Sequence, residues 1–257
     1  MALIQSATQV DVAGSSTTAP SIIINGVVGG NAIVGFASIY DGNTTWTLTD
    51  TTDGGNTFVT RQGKATHTPA GSAQRAVVAV AVNVTGGNRT VAFNLAGTLG
   101  GANRYYSLGC QEWSGVATSS PEDTFDVNEE IDTSGAVDIS AGPITTTDIG
   151  DVLVGATTLI SSDPTANFAS PASWSNSYRQ NDCGAFVGFD AGYWLPGSIQ
   201  TTYTAQWAHD NNTDDKGAGV VVALKPAASG PTIINHPQDQ ARPVGSTATF
   251  SVVATEP

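Results

Sequence analysis

The chain has 257 residues, 40% of them hydrophobic and only 12% charged, with 29 glycines, a net charge of −13 and an isoelectric point near 4.2. Ordinary apolar content arranged in short runs excludes a disordered chain. The nine Lys and Arg residues are scattered singly, which excludes the cationic cluster that nucleic acid binding needs to displace counterions.

The start, Met1-Ala-Leu-Ile-Gln-Ser-Ala-Thr8, has neither the charged nor the long apolar region of a secretory leader, so no signal peptide is expected. The longest apolar run, Ala76–Val82, falls far short of the roughly 20 residues of a membrane-spanning helix, and no membrane insertion is expected. Runs of five to ten residues with period-two alternation, parted by Gly, Asn, Asp and Pro, predict strands over Ala32–Tyr40, Thr44–Asp50, Arg75–Val84, Arg89–Asn94, Arg104–Val116, Asp151–Ile160, Ile199–Trp207 and Gly217–Leu224. In Thr44–Asp50, Trp46 and Leu48 alternate with threonines, which predicts one dry and one wet face. Arg75–Val84 is apolar on both sides and reads as a central strand. The Thr85-Gly-Gly-Asn88 turn after it predicts a hairpin over Arg75–Asn94. Six acidic residues in Glu122–Asp132 read as a loop or weak edge segment whose charge opposes edge-to-edge pairing. Lys225-Pro-Ala-Ala-Ser-Gly-Pro231 reads as a linker. The predicted architecture is all-β, with a large antiparallel, jelly-roll-like β-sandwich over residues 1–226, a linker over 227–231 and the first strands of an Ig-like domain over 232–257.

Little in the sequence points to catalysis. No Gly-x-Ser-x-Gly elbow occurs, and His67, His209 and His236 have no metal-ligand spacing, so turn or solvated histidines are the plainer reading. Glu112 beside Trp113 invites a glycosidase reading, but no second clustered carboxylate accompanies it; no catalytic residue and no cofactor is expected. Cys110 and Cys183 fit neither a metal knuckle nor a redox pair and read as buried thiols, with a disulfide as the alternative. Asp210-Asn-Asn-Thr-Asp-Asp215 is the best cation candidate, Ca²⁺ being held by Asp210, Asp214 and Asp215, but Asp215 stands where an EF-hand requires Gly. A polar turn before the last strand is the plainer reading, and no metal is expected. Of five tryptophans, Trp46, Trp113 and Trp207 alternate with polar residues and read as core, whereas Trp174 and Trp194 lie in irregular surroundings and are the candidates for stacking on a sugar ring.

Two resemblances give a setting. Residues 1–226 resemble a β-sandwich module of bacterial surface proteins and phage structural proteins, through Gly54-Gly-Asn-Thr-Phe58, Thr90-Val-Ala-Phe93, Gln111-Glu-Trp-Ser-Gly-Val116, Asp151-Val-Leu-Val-Gly155 and Gly219-Val-Val-Val-Ala-Leu-Lys-Pro226. Pro231–Ala254 resembles the opening of a bacterial or phage Ig-like domain, with a strand ending near Pro237, a turn at Pro243-Val-Gly245, and Ala248, Phe250 and Val252 facing a core. The resemblances imply a non-catalytic structural protein on a bacteriophage virion surface, a head decoration, spike or fibre component that displays the Ig-like domain outward. Expected partners are other virion proteins of capsid or tail, cell-surface carbohydrate, and further copies of the chain in a homo-oligomer, a trimer being common among fibres and decoration proteins. The alternative is a secreted bacterial adhesin or carbohydrate-binding module, which a leader upstream of Met1 would favour.

Overall fold

The computed structural model describes residues 1–13, 19–43, 45–67, 71–99, 104–132, 138–160, 168–180, 187–196, 202–209, 216–228, 233–235, 244–247 and 253–254. No helix occurs among them. The strands are β1 (Ala2–Ala13), β2 (Ser21–Val27), β3 (Ala32–Asp41), β4 (Thr47–Thr52), β5 (Val59–His67), β6 (Ser72–Ala81), β7 (Gly87–Ala96), β8 (Arg104–Ser114), β9 (Glu122–Asp132), β10 (Ile139–Ile144), β11 (Val152–Ile160), β12 (Phe168–Ala169), β13 (Ser175–Gln180), β14 (Val187–Trp194), β15 (Tyr203–His209), β16 (Lys216–Leu224), β17 (Ile233–Asn235) and β18 (Val253–Ala254). The chain divides into two units, Met1–Pro226 and Ala227–Pro257. In the second, β17 pairs antiparallel with β18; Ala248, Phe250 and Val252 lie outside the described residues.

The first unit is a repeat. Strands β1 to β8 form the sheets β1-β8-β3-β6-β5 and β2-β7-β4, and β9 to β16 form β13-β14-β11-β16-β9 and β10-β15-β12. Adding eight to each strand number of the first pair of sheets reproduces the second pair. In each half the first strand pairs with the eighth, the eighth with the third and the third with the sixth, while the second, seventh and fourth form the opposing sheet. That is jelly-roll order, with the fifth strand carried on the larger sheet.

The two rolls stack through their larger sheets, giving layers of three, five, five and three strands with a separate core between each pair of layers. The sequence pattern explains the stacking, because successive residues of a strand point to opposite faces. On β6, Val77, Ala79 and Ala81 enter the first core while Ala76, Val78 and Val80 enter the middle one. On β16, Val220, Val222 and Leu224 enter the middle core, and Val221 and Ala223 the third. Strands apolar on both faces thus become inner layers. The outer β4 and β7 have one wet face, with Trp46, just ahead of β4, and Leu48 buried as the threonine alternation predicts.

All-β antiparallel sandwich architecture is as the sequence predicts, but the hairpin over Arg75–Asn94 is not formed. β6 pairs with β3 and β5, and β7 pairs with β2 and β4, so the Gly86-Gly87 turn carries the chain across the core into the opposite sheet. A Cβ on Gly86 would lie 3.0 Å from the Gly29 nitrogen and 3.1 Å from the Val27 carbonyl. Only a glycine lets the two corners pass so closely. The acidic segment Glu122–Asp132 is an edge strand, β9, paired on one side with β16.

Polar and aromatic groups fasten roll to roll. Tyr178 on β13 lays its ring against Gly109 on β8, where a Cβ would stand 2.5 Å from the ring, and donates its hydroxyl to the Cys110 carbonyl at 2.6 Å. Ser38 on β3 and Thr158 on β11 share a buried hydrogen bond of 2.6 Å, and the Gln74 amide donates to Ser38 at 2.9 Å. Side chains of β9 cover the edge strand β5: Glu129 and Glu130 accept from the backbone N–H groups of Lys64 and Thr66, both at 3.0 Å, and Glu122 pairs with Arg61 at 2.7 Å. At the junction of the rolls, Val116 bridges to Pro226 and the Ala117 N–H donates to the Lys225 carbonyl at 3.0 Å. The backbone of Met1 lies against Gly115. Residue 1, the junction and residue 226 therefore share one corner.

Candidate functional site

Three places combine chemistry-bearing side chains: an aromatic patch, a buried glutamate and an aspartate cluster. The patch joins the two predicted sugar-stacking residues. Trp174 precedes β13, Trp194 ends β14, and Tyr203, which the sequence reading missed, opens β15 between them. Trp174 stacks on Tyr203 with ring centroids 6.2 Å apart and planes 22° apart, and its indole N–H donates to the Tyr203 hydroxyl. Trp194 tilts against the same ring at 4.8 Å. Trp174 also meets the buried Trp207 edge-on at 6.0 Å. It reaches this position because Gly155 on β11 has no side chain; a Cβ there would stand 2.8 Å from the indole. Burial pushes the Tyr203 phenol up to about 12, against the opposing effect of the Trp174 hydrogen bond. Trp174, Trp194 and Tyr203 are half-buried against the third core, so the patch offers edges and parts of faces rather than two free platforms.

Glu112, the one carboxylate the sequence suggested for acid chemistry, is fully buried on β8. One carboxylate oxygen accepts from the Val28 N–H at 2.8 Å and the Asn31 amide at 2.6 Å, and the other from the Gln5 amide at 2.6 Å. These donors come from β1 and from the loop between β2 and β3. A carboxylate saturated this way clamps the corner of the first roll and has no lone pair facing solvent for proton transfer. Trp113 beside it is also fully buried, as predicted, and lies edge-on to Tyr193 at 5.0 Å.

The aspartate cluster was not foreseen, because its members are far apart in sequence. Asp123 opens β9, and Asp148 and Asp151 flank the turn between β10 and β11, where Gly150 takes φ +94°. Their carboxylate oxygens lie within 4.8 Å of one another. Asp123 accepts from the Thr147 N–H and hydroxyl, both at 2.6 Å, and Lys225 Nζ stands 3.6 Å away. Burial alone would raise Asp123, but the Thr147 bonds outweigh it, aided by the Asp151 contact and Lys225, and hold it below the ordinary range. Asp151 has the opposite fate. It is 1% exposed, and neither of its carboxylate oxygens has a hydrogen-bond partner. Burial, then the neighbouring Asp123 charge, push it up to about 7.

Other predicted positions lie outside what the structure describes: Asp210, Asp214, Asp215, His236 and Cys183, and the side chains of His67 and His209. Cys110 is a buried free thiol, pushed up to about 12 by burial and then by the charge of Glu112.

No family model, curated protein or solved structure matches the chain.

Proposed function

We propose that the chain is a non-catalytic structural protein of a bacteriophage virion surface, a decoration, spike or fibre component whose jelly-roll body attaches to other virion proteins. The observation that carries this reading is the stacking of two topologically identical jelly rolls, because jelly rolls serve viral capsid and lectin domains. That is analogy at the level of fold, and the resemblance of residues 1–226 to phage structural proteins points the same way. The buried polar groups support a structural role: Glu112, the Ser38–Thr158 pair and the Arg104–Asp41 ion pair at 2.8 Å are all engaged in holding strands or sheets together.

Mass spectrometry of purified particles made from the genome that encodes the chain tests the reading. It expects the polypeptide in stoichiometric amounts, and absence from the particles would end it. A second reading, a carbohydrate-binding module, draws on the Trp174, Tyr203 and Trp194 patch, since aromatic rings stack on pyranose faces. Glycan binding by the chain that is lost in both Trp174→Ala and Trp194→Ala, with each variant still melting cooperatively, would favour it.

A further inference from the structure

The repeat allows one corner of the molecule to be compared with its counterpart. In each roll the first and last strands meet the loop that joins the second and third. In the first roll this corner holds a single buried carboxylate, Glu112, matched by three N–H donors from Gln5, Val28 and Asn31. In the second roll it holds Asp123, Asp148 and Asp151; Thr147 and Lys225 serve Asp123, the Thr147 hydroxyl also reaches Asp148 at 3.4 Å, and no described group donates to the Asp151 carboxylate. With Asp151 ionised, three carboxylates against one ammonium leave two negative charges without compensation. The 1% exposed Asp151 is aimed into the cluster with both oxygens unpartnered, an arrangement that a buried carboxylate tolerates only with a proton, a cation or a donor beside it.

We propose that Asp123, Asp148 and Asp151 form a Ca²⁺ site. Ca²⁺ takes carboxylate oxygens at about 2.3–2.6 Å, so oxygens on opposite sides of the ion stand about 4.8 Å apart. The cluster already lies within that span. Mg²⁺, at about 2.0–2.1 Å, demands a stricter octahedron and gives up its waters reluctantly, which suits a site with a buried carboxylate less well. A divalent ion also cancels the two uncompensated charges. Asp148 is exposed, which leaves the outer side of the ion open to water for its remaining coordination positions. The ion would tie the β10–β11 turn to the start of β9 beside the end of β16, where the first roll hands over to the second. This inference rests on the geometry of the corner and not on a virion setting.

The test is calorimetric titration of Ca²⁺ into the full chain, stripped with chelator, with melting followed in parallel. Three variants are compared with the parent: Asp148→Asn, Asp151→Asn, and a triple variant carrying Asp210→Asn, Asp214→Asn and Asp215→Asn. The parent and the triple variant should bind one Ca²⁺ at this site and melt higher with it. Asp148→Asn should bind at least tenfold more weakly. Asp151→Asn should lose the site yet melt higher than the parent in chelator, because it removes a buried unpaired charge. Failure of the parent to bind, parent-like binding in both single variants, or loss of binding in the triple variant alone overturns the proposal. Should Asp151→Asn not fold, the exposed Asp148→Asn decides.

Discussion

Replacing Glu112 by alanine leaves the Val28 N–H and the Asn31 amide without their acceptor and the Gln5 amide with the Asn25 carbonyl alone. A stranded buried donor costs about 1–3 kcal/mol, and these two are part-buried, so Glu112→Ala should lower the unfolding free energy by about 2 kcal/mol in a denaturant melt. Glu112→Gln should cost about half that, since its carbonyl replaces the oxygen that takes two of the bonds and Gln5 can turn its own amide to meet the new NH₂ group. Cys110 gives a second check. A thiol fully buried and pushed up to about 12 has almost no thiolate at neutral pH, so peptide mapping after iodoacetamide should find Cys110 unmodified in the native chain and modified in denaturant. The burial of Cys110 was legible in the sequence and that of Glu112 was not: alternation puts Glu112 and Trp113 on opposite faces of β8, but both faces of an inner sheet are dry.

Strand positions follow from period-two alternation, and most predicted strands lie close to observed ones. Pairing is a different matter. Gly-Gly-Asn permits a tight reversal whether the chain turns back within a sheet or crosses to the facing one, and the choice between them at Gly86-Gly87 is made by β2, β3, β4 and β5, which compete for the same edges. The strands missed altogether were those with broken alternation, such as β14, where Asp190 is buried and Gly188 and Gly192 interrupt the apolar run. Trp174 and Trp194 were legible as a pair in irregular surroundings; that Tyr203 joins them was not, because β15 belongs to the facing sheet and only the packing of one sheet on the other brings it near. The contact of Tyr178 with Gly109 makes a prediction for the strands that carry them. Gly109→Ala places a methyl 2.5 Å from the ring, and overpacking of this kind costs ~1–3 kcal/mol. Tyr178→Phe keeps the ring and loses the hydroxyl's hydrogen bonding, the bond to the Cys110 carbonyl foremost, about 1 kcal/mol. Urea melts of the two variants should rank in that order.

The middle core is assembled from both rolls, with Val34, Phe36, Val78 and Trp113 from the first facing Val154, Tyr178, Phe189 and Val222 from the second. Neither roll buries that face alone. Scanning calorimetry of the chain should therefore show the two rolls melting in one transition, and residues 1–117 expressed alone should be insoluble through the exposed face; two separated transitions would contradict a shared core. The duplication was not read from the sequence, since the repeat lies mainly in the order of strand pairing and leaves only a short trace, Asn31–Ile39 at β3 against Asp151–Leu159 at β11. What could be read was its result, runs apolar on both faces that require cover on both sides.

The corner where Met1, Val116 and Pro226 meet bears on how the body would carry force. A pull applied between residues 1 and 226 would enter and leave at one point, acting first on the Val116–Pro226 bridge and the Ala117–Lys225 hydrogen bond and passing by the four layers. Tension along the polypeptide would leave the stacked rolls hanging to the side as a pendant. Any stiffness the unit lends to a larger assembly must then come through contacts on its outer sheets.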